Sequence, residues 1–333
     1  MPLCGPSRGL LYISGSMKVC LAVLNRDGRD HLAELLPTAT RAVREYGQGC
    51  PIVVLDNESP GDDLAWLRTN YPEVEGVSQR NDFLFSYNRL LANRDEDVVI
   101  LLNNDLKVSA NFIGAMVRHF AEPSVFAVSC KAFNWEGDRL NSGPCLLKVL
   151  RRGWIVTGCQ LDRQALSYTL FASGGFMAVD RRKFLALGGF DPLFYPAYGE
   201  DKDLCFRAWC RGWTSLYEPE CYVFHREGGS WDRGRHRSRR LIEISNYLFT
   251  WRNFRRPWFR AAHRVYLTWL TVRKRIEGDG NWVESFREAR RLWRERRREA
   301  LAGVPQVVDL GGLQRMCGSP VAERARGEVS CAA

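Results

Sequence analysis

The sequence predicts an α/β fold with a mainly parallel sheet flanked by helices, followed by a basic helical extension. Three observations carry this. Between residues 17 and 132, short β-rich apolar runs alternate with segments whose apolar residues recur at helical spacing. Clusters of polar residues close three of those runs, at 25–28, 56–61 and 103–105. From residue 238 onward the pattern reads as helix, rich in Arg and Trp. Parallel strands joined by right-handed crossovers put their carboxyl ends on one edge, and ligands of such sheets bind there. The three polar clusters all fall on that edge.

Lys18–Leu24 is the first apolar run and ends in Asn25-Arg26-Asp27-Gly28. Asp30 is placed to cap a helix carrying Leu32, Leu35, Leu36, Ala39 and Val43. Pro51–Leu55 is the second strand, closed by Asp56-Asn57-Glu58-Ser59-Pro60-Gly61, with a short helix over Leu64–Asn70 and a strand over Val74–Val77. Phe85–Ala92 reads as helix. Val98–Leu102 is the most strongly apolar strand and leads into Asn103-Asn104-Asp105. Ser109 is placed to cap a helix over Asn111–Phe120, and Val125–Cys130 is a further strand. Residues 133–168 read as irregular and Gly-rich. Then come strand Phe176–Asp180, helix Arg181–Leu187, a Gly188-Gly189-Phe190-Asp191-Pro192 turn, a helix from Glu200 to Trp213, and two short strands, Thr214–Tyr217 and Tyr222–His225.

The 333 residues suffice for one large α/β domain with an appendage. The reading divides the chain into a leader at 1–16, a catalytic domain at 17–237, a helical extension at 238–302 and a frayed tail at 303–333. The catalytic domain has a nucleotide half to residue 132 and an acceptor half from 133. The leader is read as unstructured, or as an upstream start not used in the cell, because Met17 stands directly before the first strand. No run is long and apolar enough for a transmembrane helix. Eleven cysteines, without a CxxC pair or zinc spacing and partly inside apolar runs, imply reduced, mostly buried thiols in a cytoplasmic protein. Residues 226–300 hold 21 Lys+Arg against 9 Asp+Glu, so the net charge of +10 resides in that segment and the remainder is slightly acidic.

Four groups have chemistry to offer, and each has a plainer reading. Asp105, after a buried strand and beside two Asn, supplies one hard anionic oxygen to a divalent ion whose shell phosphate and water complete; an Asn/Asp turn would look the same. Asp56 ends the second strand and can accept a base imide or ribose hydroxyl, or simply make a turn. Glu200-Asp201 open a helix, where the dipole keeps a carboxylate ionised as a general base requires, yet Asp is also an ordinary cap. His225 ends a strand and is either a metal ligand or structural.

Their order is what narrows the choice. Val19–Asn25, Val53–Ser59, Leu101–Asp105, Ala172-Ser173-Gly174-Gly175-Phe176, Gly188–Asp191 and Tyr198–Leu204 together resemble glycosyltransferase family 2. With Arg207, Gly212-Trp213 and Val223-Phe224-His225 followed by Gly228-Gly229-Ser230, the later block looks like the rhamnosyltransferase-like branch. The resemblance covers about residues 17–255. It implies a GT-A fold and an inverting transfer from a nucleotide-sugar to a hydroxyl of a saccharide or lipid-linked acceptor, in cell-surface polysaccharide assembly. It further implies Asp201 as catalytic base and Asp105 and His225 as ligands of Mn2+ or Mg2+. Asn25, Asp56, Asn81, Asn88, Asn103 and Asn104 would lie on the donor, and Gly174, Gly175 and Glu200 on the acceptor side. The sequence departs from the family pattern at Asn103, where an Asp is usual, and at Phe83, where a Gly usually follows Asn81 by two positions. A dTDP-sugar such as rhamnose, a UDP-sugar and a GDP-sugar all stay open as donors.

The extension carries Trp258, Phe259, Ala262, Val265, Tyr266, Trp269, Leu270 and Ile276 among arginines, a composition suited to the anionic inner face of a cell membrane. A helical pair packed on the catalytic domain with a solvated Arg face is the plainer account. A dinucleotide-dependent oxidoreductase would need a Gly-rich turn after the first strand, and Asn25-Arg26-Asp27-Gly28 is not one. A nucleic-acid-binding protein would explain the Arg and Trp but not the polar strand ends, so no nucleic-acid partner is expected. A non-catalytic membrane-surface protein on the same scaffold would not require Asp105, Asp201 and His225 together.

Overall fold

The computed structural model describes residues 17–150, 152–226, 235–300 and 310–321. The expected leader, most of the tail, and Gly228-Gly229-Ser230 lie outside the described residues. The chain runs β1 (Val19–Asn25), α1 (Arg29–Tyr46), β2 (Ile52–Asn57), α2 (Asp63–Asn70), β3 (Glu75–Gln79), α3 (Ser86–Ala92), β4 (Val98–Asn103), β5 (Leu106–Val108), α4 (Phe112–Val117) and β6 (Val125–Asn134). It continues through β7 (Leu140–Ser142), β8 (Cys145–Leu150), β9 (Trp154–Cys159), β10 (Ser167–Tyr168), β11 (Phe176–Asp180), α5 (Arg181–Ala186), α6 (Glu200–Cys210) and β12 (Thr214–His225). Four helices follow: α7 (Arg235–Asn253), α8 (Pro257–Ile276), α9 (Gly280–Ala300) and α10 (Leu310–Met316). No described helix is long and apolar enough to cross a membrane.

The main sheet has the order β10-β12-β6-β11-β4-β1-β2-β3, with β5 and β7 at its side. β1, β2, β3 and β4 pair in parallel, and β6 and β12 pair in parallel. β11 lies between the two groups and is antiparallel to both β4 and β6. Two reversals restore direction, so β12 and β6 run the same way as β1 and β4. The carboxyl ends of β1, β2, β4 and β12 therefore share one edge with the amino end of β11.

Both faces of this sheet are covered, which is why its strands read as unbroken apolar runs. Residues alternate across a strand. Val19, Leu21 and Val23 pack with Leu32, Leu35, Leu36 and Ala39 of α1. Cys20 and Ala22 face the opposite way, into a core that also holds Val99, Leu101, Leu204 and Phe206. That second core continues into Tyr247, Leu248 and Phe249 of α7 and on to Phe259, Leu267 and Ala289. The helices of the extension thus complete the cover over one face of the sheet.

Several local expectations are corrected. α1 begins at Arg29 with Gly28 at the cap position, leaving Asp30 in the first turn; the Gly28 N–H is already taken by Asp63, 3.2 Å away. Ser109 does not cap α4, whose cap position is Asn111. Its hydroxyl instead donates to Asn111 Oδ1 and accepts from the Tyr222 N–H. The span 133–168 is not irregular but holds β7, the β8–β9 hairpin and β10. Its strands are short and β9 is largely open to solvent, so no clean alternation marks them. The two expected strands after α6 are one strand, β12, with register shifts that absorb residues 219–221. Seven free cysteines are described, six of them buried. Cys145 and Cys159 differ: they face each other across the β8–β9 hairpin and form a disulfide.

His263 of α8 fastens that hairpin to the helices. Its ring stacks between Trp154 and Phe259. Trp251 Nε1 donates to its Nε2 at 2.9 Å, so the proton must sit on Nδ1, which donates to the Gly153 carbonyl at 2.6 Å. Burial pushes the imidazole below its ordinary value of 6.5. The unfolded chain then binds the extra proton first, so this contribution to stability is complete above about 6.5 and is lost as pH falls through the lower folded value. We expect denaturant midpoints to drop as pH falls below about 6.5 in the native protein, and less steeply in His263→Gln.

Candidate active site

Three short segments meet at the shared edge. The loop after β4 puts Asn103, Asn104 and Asp105 in sequence, and each reaches a different neighbour. The Asn103 N–H donates to the Gly175 carbonyl at 2.8 Å. The side-chain amide of Asn103 lies so close that a Cβ on Gly175 would sit 2.9 Å from it, so a side chain there would displace Asn103. Asn104 Nδ2 donates to Asn25 Oδ1 at 2.8 Å, across a Gly28 whose Cβ, if present, would stand 2.0 Å from that nitrogen. Asp105 faces His225 of β12, with Oδ1 3.7 Å from Nε2.

On the β1–β2 side the polar groups form a closed network. Asn25 Nδ2 lies within donating distance of Asp56 Oδ1 (3.0 Å) and Asp63 Oδ2 (2.9 Å). Asp56 also takes the Ser59 hydroxyl and, at 3.0 Å, the Ser59 N–H. Asp63, from the first turn of α2, is buried and carries an ion pair with Arg29 at 3.4 Å. Neither Asp63 nor Ser59 was singled out from sequence. Only a second carboxylate beside the capping Asp62 marks Asp63, and helix starts commonly carry such residues. Asn81 Oδ1 accepts the Phe83 N–H and its own N–H donates to Glu58, so it shapes the loop after β3. Asn88 lies apart from this network: its amide donates to the Phe190 carbonyl at 2.9 Å and accepts the Phe190 N–H at 2.8 Å.

The third segment is the start of α6. Gly199 at its cap position has φ 88, and Asp201 turns toward the chain entering β11. Asp201 Oδ2 accepts the Gly174 N–H at 3.0 Å and Oδ1 accepts the Lys202 N–H at 2.7 Å. It does not cap the helix by side chain. Burial pushes its carboxyl above the ordinary Asp value, against the two N–H bonds that favour the anion. Glu200 is pushed up to about 8, by burial first and by the Asp201 charge second, and its Oε2 is buried without a hydrogen-bond partner. Burial lowers Lys202 to about 8 although three carboxylates surround it.

Asp203, about half a turn beyond Asp201, is wholly buried and is held by Arg207 Nε at 2.7 Å, Arg252 Nε at 2.9 Å and Asn253 Nδ2 at 2.9 Å. Arg207 also donates to the Leu187 and Gly189 carbonyls, and Arg252 pairs with Asp191 at 2.5 Å. This network fixes α6 against the 187–191 turn and α7.

Backbone strain marks the same edge independently. The non-glycine residues with positive φ among the described ones are Asp27, Glu58, Phe83 and Tyr198. They stand after β1, after β2, after β3 and immediately before α6. Such conformations persist where packing enforces them and gather at ligand sites.

A divalent ion is the cofactor such a site would take, and the residues fit one. Asp105 Oδ1 is buried with no hydrogen-bond partner, which leaves a carboxylate oxygen in want of a cation or donor. His225 stands within coordinating reach of the same space. Among the described residues no cluster of three or more His, Cys, Asp and Glu could hold a metal. Protein ligation would therefore stop at these two residues, and the remaining positions would fall to ligand oxygens and water.

Comparison with known proteins gives a consistent picture. The description "Glycosyl transferase family group 2" matches residues 98–275, just over half of the chain. An uncharacterised protein y4gI of Sinorhizobium fredii is 27% identical over 225 residues, which cover 61% of this chain and 24% of that protein. The chain thus spans about a quarter of the length of the curated relative it matches. Among solved structures, GalNAc-T7 with UDP, GalNAc and Mn2+ superposes with a TM-score of 0.56 at 16% identity, over 74% of this chain and 50% of that one. The mannosyltransferase PcManGT of Pyrobaculum calidifontis, in complex with GDP-Man and Mn2+, gives 0.53 at 16% identity, over 87% and 77%. These two likenesses show the fold, which is GT-A.

The Asn88 clamp has a measurable consequence. Asn88→Ala leaves the Phe190 N–H and carbonyl without their partner, at a cost of about 1–3 kcal/mol. A lowered denaturation midpoint is expected. Nucleotide affinity of the folded fraction, read by calorimetry, is expected to stay unchanged.

Proposed function

The chain belongs to glycosyl transferase family group 2, and from that membership we propose that it transfers a sugar from a nucleoside-diphosphate sugar to an acceptor hydroxyl with inversion at the anomeric carbon. The observation that carries the reading is the convergence of Asp105–His225, Asn103–Gly175 and Gly174–Asp201 on one sheet edge. The Asn25–Asp56–Asp63 network lies beside them and offers polar groups to a base and ribose. Asp105 and His225 would hold a Mn2+ or Mg2+ ion, whose positive charge would offset the charge gathering on the departing diphosphate.

The protein's own part in the displacement is proton transfer and orientation. Asp201 takes the proton of the acceptor hydroxyl as its oxygen bonds to the anomeric carbon. The bond from that carbon to the diphosphate oxygen breaks, and the nucleoside diphosphate leaves with the electron pair. Burial makes Asp201 a stronger base than a solvated Asp, while the Gly174 and Lys202 N–H groups fix its direction. For a saccharide acceptor, a groove of about 250 Å3 between residues 194–198, α7 and α9 offers the Tyr195 and Tyr198 rings, the latter two positions ahead of Glu200. A lipid-linked saccharide presents the same hydroxyl chemistry. Donors carrying dTDP-rhamnose, UDP-sugars or GDP-sugars all suit this arrangement, and cell-surface polysaccharide assembly is the setting in which such a transfer would serve.

Nucleotide release from a panel of these donors with Mn2+ or Mg2+ tests the reading: one donor should be turned over, and turnover of none by folded protein would overturn it. Asp201→Asn should lower turnover by about two to four orders of magnitude while preserving the fold, and near-normal turnover would remove Asp201 from the role. In the native enzyme activity requires Asp201 ionised, so rate is lost as pH falls through its raised value. The acid limb of kcat/KM should accordingly lie above the ordinary Asp range of about 4.

A further inference from the structure

α8 has two apolar faces where packing accounts for one. Phe259, His263, Leu267 and Leu270 point into the protein and are buried. Trp258, Val265, Trp269, Val272 and Ile276 point away and are 51, 72, 51, 54 and 81% exposed. At 100° per residue, that second set keeps within about 40° of the Trp258 direction, nearly opposite the buried set. The apolar residues that the sequence groups into one surface are therefore divided by the fold. Phe259 and Leu270 build the core, while Trp258, Val265, Trp269 and Ile276 form a stripe in solvent.

The charges on α8 beside the stripe all have one sign, and the acid that follows them, Glu277, is taken up by Arg273 at 2.6 Å and Lys274 at 3.1 Å. α8 contains Arg260, Arg264, Arg273, Lys274 and Arg275 and no Asp or Glu. Arg260, Arg264 and Arg275 are exposed along one flank, and Arg273 lies on the other with its guanidinium 5.4 Å from the Trp269 ring. We propose that this stripe docks on an anionic lipid bilayer, with α8 lying along the headgroup boundary, its tryptophans and aliphatic side chains inserted and its arginines among the lipid phosphates. A second copy of the chain would bring the arginine flanks together and is disfavoured by charge. Nucleic acid would meet the arginines but gain nothing from Val265, Val272 and Ile276. The inference rests on α8 alone and holds whatever donor the enzyme uses.

Sedimentation of the full chain with phosphatidylcholine vesicles, with and without phosphatidylglycerol, tests it in the absence of any nucleotide. Binding should require the anionic lipid and weaken as salt is raised. Val265→Glu and Ile276→Glu, at exposed positions that leave the fold intact by circular dichroism, should each weaken binding by about tenfold or more. Arg264→Ala and Arg275→Ala should each weaken it by about fivefold. The inference is overturned if the native chain fails to sediment with anionic vesicles, or if the two Glu substitutions leave binding unchanged. It is equally overturned if light scattering shows a dimer that those substitutions dissolve while vesicle binding stays absent.

Discussion

The buried Asp203 carboxylate is the constraint around which α6, the 187–191 turn and α7 are organised. A charge with no exposure must be compensated in place, and its partners come from two parts of the chain: Arg207 in α6, and Arg252 and Asn253 at the end of α7. Because Arg207 and Arg252 also bind the 187–191 turn, the same charge fixes the direction from which α6 enters. Asp201 is one residue back from Lys202 and half a turn from Asp203, so its position against Gly174 follows from that anchoring. The C-terminal helices are thus part of what holds Asp201 against Gly174, besides covering the sheet.

The insertion of antiparallel β11 between β4 and β6 does the complementary work beside β4. A parallel strand there would send its amino end to the far side of the sheet. Reversed, it delivers Gly174 and Gly175 to the edge where Asn103 and Asp105 already stand. The absence of a side chain at Gly175 lets Asn103 come close. Strained backbone at Asp27, Glu58, Phe83 and Tyr198 rims the same space, at loops that a sheet of this kind leaves free to serve a ligand.

Sequence reading recovered the strands well because β1, β2 and β4 are covered on both faces and so appear as plain apolar runs. It lost β8 and β9, where half-exposed strands leave no period, and with them the Cys145–Cys159 pairing, which depends on register across a hairpin. The places of Asp105, Asp201 and His225 on the sheet edge are legible in the sequence because each sits at the end of a legible element. Asp63, Arg252 and the strain at Phe83 are not, since their meaning lies in partners distant along the chain. The apolar residues of α8 were legible as apolar, whereas their division into an inner and an outer face required the packing.

On the function proposed above, the edge formed by β1, β2, β4, β11 and β12 is one site in which Asp105 and His225 would bring a divalent ion to a nucleoside diphosphate. Electron paramagnetic resonance of Mn2+ titrated into the protein tests this without requiring turnover. The account predicts weak Mn2+ binding by the protein alone, strong binding when the matching nucleoside diphosphate is added, and loss of that enhancement in Asp105→Ala. Mn2+ binding that no nucleoside diphosphate strengthens, or an enhancement that survives Asp105→Ala, would contradict it.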